Sequence, residues 1–200
     1  MRQIKINMKT LLTLTMLATV GFGTMNGADA QNVNIPDANF KNALLNHTPK
    51  IDTNNDGEIQ VTEASAYKGM IYVGFLSIND LTGIEAFTGI DTLICYNNQL
   101  TSLDVSKNTA LTELYCTFNL LTSLDVSKNA ALTRLECVKN QLTSLDVSKN
   151  TALTFLGCYY NQLTSLDVSK NTALITLYCY DNQLTSLDVS KNTALTVLYC

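Results

Sequence analysis

From Ile90 to Cys200 the sequence repeats itself every 21 residues without an insertion. One complete unit runs from Leu111 to Ala131 and recurs from Leu132, Leu153 and Leu174; a copy beginning at Ile90 precedes it, and a last copy starts at Leu195 and stops at Cys200. In generic form the unit is L-x-x-L-x-C-x-x-N-x-L-T-S-L-D-V-S-K-N-T-A. Around Leu114 and Cys116 the apolar residues alternate with Glu113, Tyr115 and Thr117, which predicts a short strand with one buried face. No unit can fold alone, because ordering its backbone costs more than its few apolar side chains return on burial. Stacked units share their buried faces. The period therefore predicts a quasi-one-dimensional coil with a parallel sheet along one side.

The lattice gives each column a role. Asn98, Asn119, Asn140, Asn161 and Asn182 stand where the chain leaves the strand, and an amide there has the donors and the acceptor to satisfy backbone groups. All six cysteines, Cys95, Cys116, Cys137, Cys158, Cys179 and Cys200, occupy an apolar column. An even number permits disulfides, but side chains stacked along a sheet run parallel instead of converging, so a buried file of free thiols is expected. Zinc finds neither a C-x-x-C pair nor a nearby histidine. Asp104, Asp125, Asp146, Asp167 and Asp188, with a lysine three residues after each, read as a solvated turn whose two charge columns offset each other.

The copies differ mainly at the outward strand positions and at the residue after the strand, whereas T-S-L-D-V-S-K-N is letter-identical in five of them. Seven of the nine tyrosines fall in or beside these variable positions. Tyrosine offers a large contact area at low entropic cost and is enriched at binding hot spots. The candidate ligand-binding residues are Tyr96, Tyr115, Phe118, Phe155, Tyr159, Tyr160, Tyr178 and Tyr180; tyrosine's suitability for a half-exposed strand is the alternative explanation.

The unit resembles the leucine-rich repeat, whose signature is L-x-x-L-x-L-x-x-N-x-L, with cysteine where leucine usually sits. The resemblance covers residues 90–200 and implies an α/β solenoid, a leucine-rich repeat horseshoe with its parallel β-sheet on the concave face.

The N-terminus reads as an address. Arg2, Lys5 and Lys9 precede an apolar run from Leu11 to about Val20, and Ala28-Asp29-Ala30 follows. This pattern describes a secretory signal peptide over residues 1–30, cut after Ala30, and the run is too short to span a bilayer. Without those residues the chain carries 10 basic and 16 acidic side chains, net −6, a balance that repels phosphate backbones and excludes a nucleic-acid partner.

Residues 31–77 lie outside the register and read as a small helical cap over the first coil. Pro36 and Asp37 mark a helix start, Phe40, Ala43 and Leu44 share its apolar face, and Pro49 closes the segment. Residues 52–63, D-x-N-x-D-G-x-I-x-x-x-E, resemble the EF-hand calcium loop. That resemblance implies a structural calcium ion held by side-chain oxygens of Asp52, Asn54 and Asp56, the Glu58 carbonyl, Gln60 directly or through water, and Glu63. An Asx-rich turn holding no metal is the other reading.

From residue 78 the spacing of Ile78, Leu81, Ile84, Phe87 and Ile90 resembles the first repeat of the internalins, which also carry a cap related to a truncated EF-hand. Their repeats are 22 residues long, and the L-D-V-S-K-N segment is similar to a separate bacterial 21-residue class. The resemblance implies a secreted or surface-held bacterial protein that grips an extracellular protein or glycan on its concave sheet. No catalytic constellation is present: there is no Ser/His/Asp set, nucleophile elbow or phosphate loop. The alternative is a spacer that displays a further C-terminal domain, which could be enzymatic, because an apolar coil ending in mid-strand at Cys200 reads as an interrupted one.

Overall fold

The computed structural model describes residues 31–200; the signal peptide read at 1–30 lies outside the described residues. Two short helices come first, α1 over Ala38–Leu45 and α2 over Val61–Ala66. Asp37 caps α1, its Oδ1 accepting the N–H groups of Asn39 and Phe40 at 2.9 and 3.0 Å. Its Oδ2 accepts the N–H of Asn79 at 2.8 Å and of Asp80 at 3.3 Å, tying the cap to the first coil. Burial pushes this carboxyl up, but the four backbone donors outweigh it and hold the group below its usual range. Phe40 and Leu44 bury the inner side of α1, as their spacing predicts.

Seven parallel strands follow in chain order: β1 Gly69–Tyr72, β2 Ile90–Ile94, β3 Glu113–Tyr115, β4 Arg134–Glu136, β5 Phe155–Gly157, β6 Thr176–Tyr178 and β7 Val197–Tyr199. From β2 onward each residue pairs with the one 21 positions later, as in Leu93–Leu114 and Leu114–Leu135. The period in the sequence is thus the period of the sheet. β1 belongs to the segment read as cap, so the sheet starts before residue 78 and before the repeat becomes legible.

The core is a set of files running along the coil. Leu93, Leu114, Leu135, Leu156 and Leu177 form one, and Val105, Val126, Val147 and Val168 another. Cys95, Cys116, Cys137, Cys158 and Cys179 form a third; they are buried free thiols, while Cys200 is exposed. Burial pushes the Cys95 thiol up to about 12 and raises Cys116, Cys137 and Cys158 as well.

Two asparagine files hold adjacent coils in register. Asn119 Nδ2 donates to the carbonyls of Cys95 and Cys116 at 3.1 and 3.0 Å, and its Oδ1 accepts the N–H of Leu100 at 3.1 Å. Asn140, Asn161 and Asn182 repeat the arrangement. The second file lies in the segment read as a solvated turn. Asn108, Asn129, Asn150, Asn171 and Asn192 are buried there, and Asn129 Nδ2, for example, donates to Val105 and Asn108 carbonyls at 3.0 and 2.9 Å. Asp and Lys beside them remain on the outside. A threonine file precedes the strands: Thr133 Oγ1 donates to the Thr112 carbonyl at 3.1 Å and Thr154 Oγ1 to that of Thr133 at 3.0 Å. Ile175, 46% exposed, interrupts it.

Candidate recognition surface and cap loop

In β3, β4 and β6 the central leucine points inward, and the residues on either side are half-exposed on the solvent side. The solvent side of the sheet therefore displays the variable columns. Arg134 sits at the centre of the patch. Its Nε donates to Glu136 Oε1 at 2.8 Å, a second guanidinium nitrogen reaches the same oxygen, and the guanidinium lies 3.8 Å above the Phe155 ring. The Tyr115 ring lies on its other side at 5.6 Å. Tyr115 donates its hydroxyl to Glu113 at 2.6 Å; burial and that carboxylate push the phenol up to about 12.

Beyond Arg134 the aromatic rings touch one another. Phe155 meets Tyr178 edge to face at 5.5 Å, Tyr159 stacks on Tyr180 at 4.4 Å, and Tyr160 contacts both Tyr159 and Tyr180. Gly157 makes room for this cluster: a Cβ there would stand 3.3 Å from the Phe155 ring. The structure thus joins Tyr115, Phe155, Tyr159, Tyr160, Tyr178 and Tyr180 into one patch. It does not bring Tyr96 or Phe118 into that patch. Tyr96 pairs with Tyr72 through their hydroxyls at 2.9 Å and with Phe75 edge to face, while Phe118 lies under the Lys139 ammonium at 4.7 Å. Tyr72 and Phe75 are missing from the sequence-based set because their coil lies outside the repeat register; the alternation of Ile71 and Val73 with Met70 and Tyr72 was the available signal.

The cap loop uses its oxygens differently from the expected ligand shell. Asn54, Asp56 and Gln60 do come together, with Asn54 and Gln60 amides donating to Asp56 Oδ2 at 2.8 Å each. The Glu58 N–H and those two amides hold the Asp56 carboxyl below its usual range. Asp52 accepts the N–H groups of Asn55 and Gly57. Glu58 turns its carboxylate to Lys41 of α1 at 2.7 Å. Glu63 Oε1 accepts from Thr53 N–H at 2.7 Å and Asn54 N–H at 3.3 Å, and its Oε2 accepts from Gln60 N–H at 3.1 Å, capping α2. Among the described residues no three His, Cys, Asp or Glu side chains are grouped to hold a metal. The donor types suit a hard cation, and Glu63 as placed accepts from backbone amides.

Neither a protein-family model nor a curated protein matches the sequence. Solved structures do. The functional domain of InlJ from Listeria monocytogenes, described as including a cysteine ladder, matches with a TM-score of 0.74 and 41% identity, over 84% of this chain and 37% of that one. The fold is a leucine-rich repeat solenoid, similar to that of an internalin. The internalin InlF of Listeria monocytogenes matches this solenoid with a TM-score of 0.61 and 25% identity, over 68% of the chain and 42% of its own. A leucine-rich repeat protein of Leptospira interrogans, with a TM-score of 0.58 and 22% identity over 61% and 34% of the two chains, shares the fold alone. The chain spans between 34% and 42% of the length of these three structures. Among the described residues no helix is long and apolar enough to cross a membrane.

Proposed function

We propose that the chain is an exported, non-enzymatic recognition module that grips an extracellular protein or glycan with the solvent side of its sheet. The observation that carries this reading is where the copies differ. The T-S-L-D-V-S-K-N segment is kept letter for letter and the buried ladders nearly so, with Ile90 in place of leucine in the first copy, while the exposed strand columns change from copy to copy and gather aromatic rings. Recent duplication accounts for identity; it does not account for changes that collect mainly on one exposed face. The likeness to internalins supports a binding module of the adhesion type.

A pull-down from cell surfaces together with a glycan array tests this reading. The expected result is a specific ligand whose capture is lost in Phe155→Ala and Tyr178→Ala. Blank results on both would favour a spacer.

A structural calcium ion in the cap is a separate proposal. Asp52, Asn54, Asp56, the Glu58 carbonyl and Glu63 would hold it, and Glu63 would first have to give up its amide partners. Calcium-dependent melting of the protein, compared with Asp52→Ala, tests it; an unchanged midpoint sinks it.

A further inference from the structure

After each of the first six strands an equivalent residue lies in the left-handed region: Phe75 (φ 59°), Asn97 (52°), Phe118 (55°), Lys139 (50°), Tyr160 (53°) and Asp181 (51°), with Ser77 (54°) a second one in the first turn. The N–H groups of the first five each donate to a carbonyl of the next coil at 2.9 to 3.2 Å. The six positions therefore form one stacked column, with neighbours about 4.8 Å apart, the spacing of hydrogen-bonded strands. Along it, aromatic and polar residues alternate. The three rings, Phe75, Phe118 and Tyr160, are 65%, 43% and 51% exposed and stand about 10 Å apart, two strand spacings.

Folding does not ask for rings here. Left-handed backbone suits Asn and Asp, whereas bulky residues there cost roughly 1 kcal/mol or more each. Asn97 and Asp181 meet the local requirement; Phe75, Phe118 and Tyr160 occupy the same geometry at a loss. Strain of this kind, kept at exposed positions with a regular spacing, points to contact with a ligand.

We propose that this ridge binds a linear, uncharged β-1,4-linked hexose polymer laid along the solenoid axis, with alternate sugars stacked on Phe75, Phe118 and Tyr160. The inference rests on the reading of the chain as a recognition module and names a ligand class for the edge of its sheet. In such a polymer alternate sugars present the same face, and that two-sugar advance is close to two coil spacings. The negative face of an aromatic ring attracts the polarised C–H bonds of a sugar. Asn97, Lys139 and Asp181, set between the rings, reach hydroxyl groups. The ridge carries one cation and one anion, and the chain's net charge after Ala30 is −6, so polyanionic glycans are repelled. A polyproline helix has a similar advance, about 9.3 Å per turn. It docks in grooves between rings and brings no N–H donors for Asp181 or Asn97.

The test is titration of the purified protein with cellohexaose and chitohexaose, with a proline-rich peptide and heparin in parallel. At least one hexaose is expected to bind, and the matching disaccharide, which spans one ring, to bind far more weakly. Phe118→Asn and Tyr160→Asn are each expected to weaken the hexaose about tenfold, the effect of losing one stacking platform, while raising the melting temperature. Rings that were merely structural would not show that split. Silence from both hexaoses, binding of the peptide or heparin in their place, or affinity unchanged in both variants would overturn the proposal. If the hexaoses are silent while a cell-surface ligand is still captured and then lost in Phe155→Ala, the ridge inference alone falls.

Discussion

The side chain of Asn140 accepts the N–H of Leu121, in the preceding coil, at 3.0 Å. Its Nδ2 donates to the Cys116 and Cys137 carbonyls at 3.0 and 3.1 Å. Removing it leaves the buried Leu121 N–H without a partner, at a cost of about 1–3 kcal/mol, and takes one of two amide donors from each carbonyl, which keep Asn119 and Asn161 respectively. Asn140→Ala is expected to destabilise the protein by about 3 kcal/mol in urea denaturation. A loss below about 1 kcal/mol would show that water or a shifted backbone satisfies those groups.

Thiol labelling reads the cysteine file. With Cys95, Cys116, Cys137, Cys158 and Cys179 buried and Cys200 exposed, the folded protein is expected to label rapidly at Cys200 alone near neutral pH. The thiols of Cys95 and Cys179, pushed up by burial to about 12 and about 11, are slow for lack of thiolate as well as of access. All six react once the chain is unfolded. Rapid labelling at several buried positions in the native protein would contradict the stacking.

The outer aspartates give a pH dependence with a definite sign. Ser106 N–H donates to Asp104 at 2.9 Å, and Ser127 N–H to Asp125 at 2.8 Å, and these bonds hold both carboxyls below their usual range. Asp146, Asp167 and Asp188 follow suit. A carboxyl depressed in the folded state contributes stability above its unfolded value, about pH 4, and loses it as pH falls through the folded value. Stability should therefore decline in acid. Asp125→Asn, whose amide oxygen still accepts the Ser127 N–H, is expected to make that decline shallower without opening the turn; an equally steep decline would place its origin elsewhere.

Ile175 occupies a position where Thr112, Thr133, Thr154 and Thr196 each donate to the carbonyl of the coil before. Ile175→Thr restores that bond and removes an exposed apolar side chain. A gain of about 0.5–1 kcal/mol is expected, read as a higher denaturation midpoint with an unchanged slope.

Glu63 is tested by two substitutions. Glu63→Ala removes the acceptor for Thr53, Asn54 and Gln60 and is expected to cost about 2 kcal/mol. Glu63→Gln keeps one carbonyl oxygen and should cost less. If the two variants are equal in the absence of calcium, the clasp does not hold the cap.

The register of the sheet was legible because the period of the sequence is the period of the strands: the pairing of Leu114 with Leu135 is the 21-residue repeat made physical. The role of Asn119 was legible too, since an amide matches the groups a turning chain leaves unpaired. β1 was not, because its coil has Leu76 where the others have asparagine, and Asn98 of the next coil serves the Leu76 and Ile78 N–H groups instead. Asn108 was hidden by its neighbours: Asp104, Ser106 and Lys107 announce a wet turn, and nothing local says that the asparagine dips inward. The left-handed column was masked by its own occupants, since Phe118, Lys139 and Tyr160 are poor signals for that backbone. Glu63 carried two readable patterns, the end of a calcium-like loop and, with Gln60, the third residue of a helix cap; the second describes where its carboxylate lies.

Identical inter-coil ladders also govern how such a chain can change by inheritance. Unequal recombination between its near-identical stretches can delete or insert a whole unit while every asparagine and thiol still finds an equivalent neighbour. Loss of one unit would put two rings, or two polar groups, side by side along the edge, whereas loss of two would restore the alternation. Ligand preference in descendants of this gene would then shift with odd-numbered changes in length and return with even ones, although the scaffold itself is indifferent to parity.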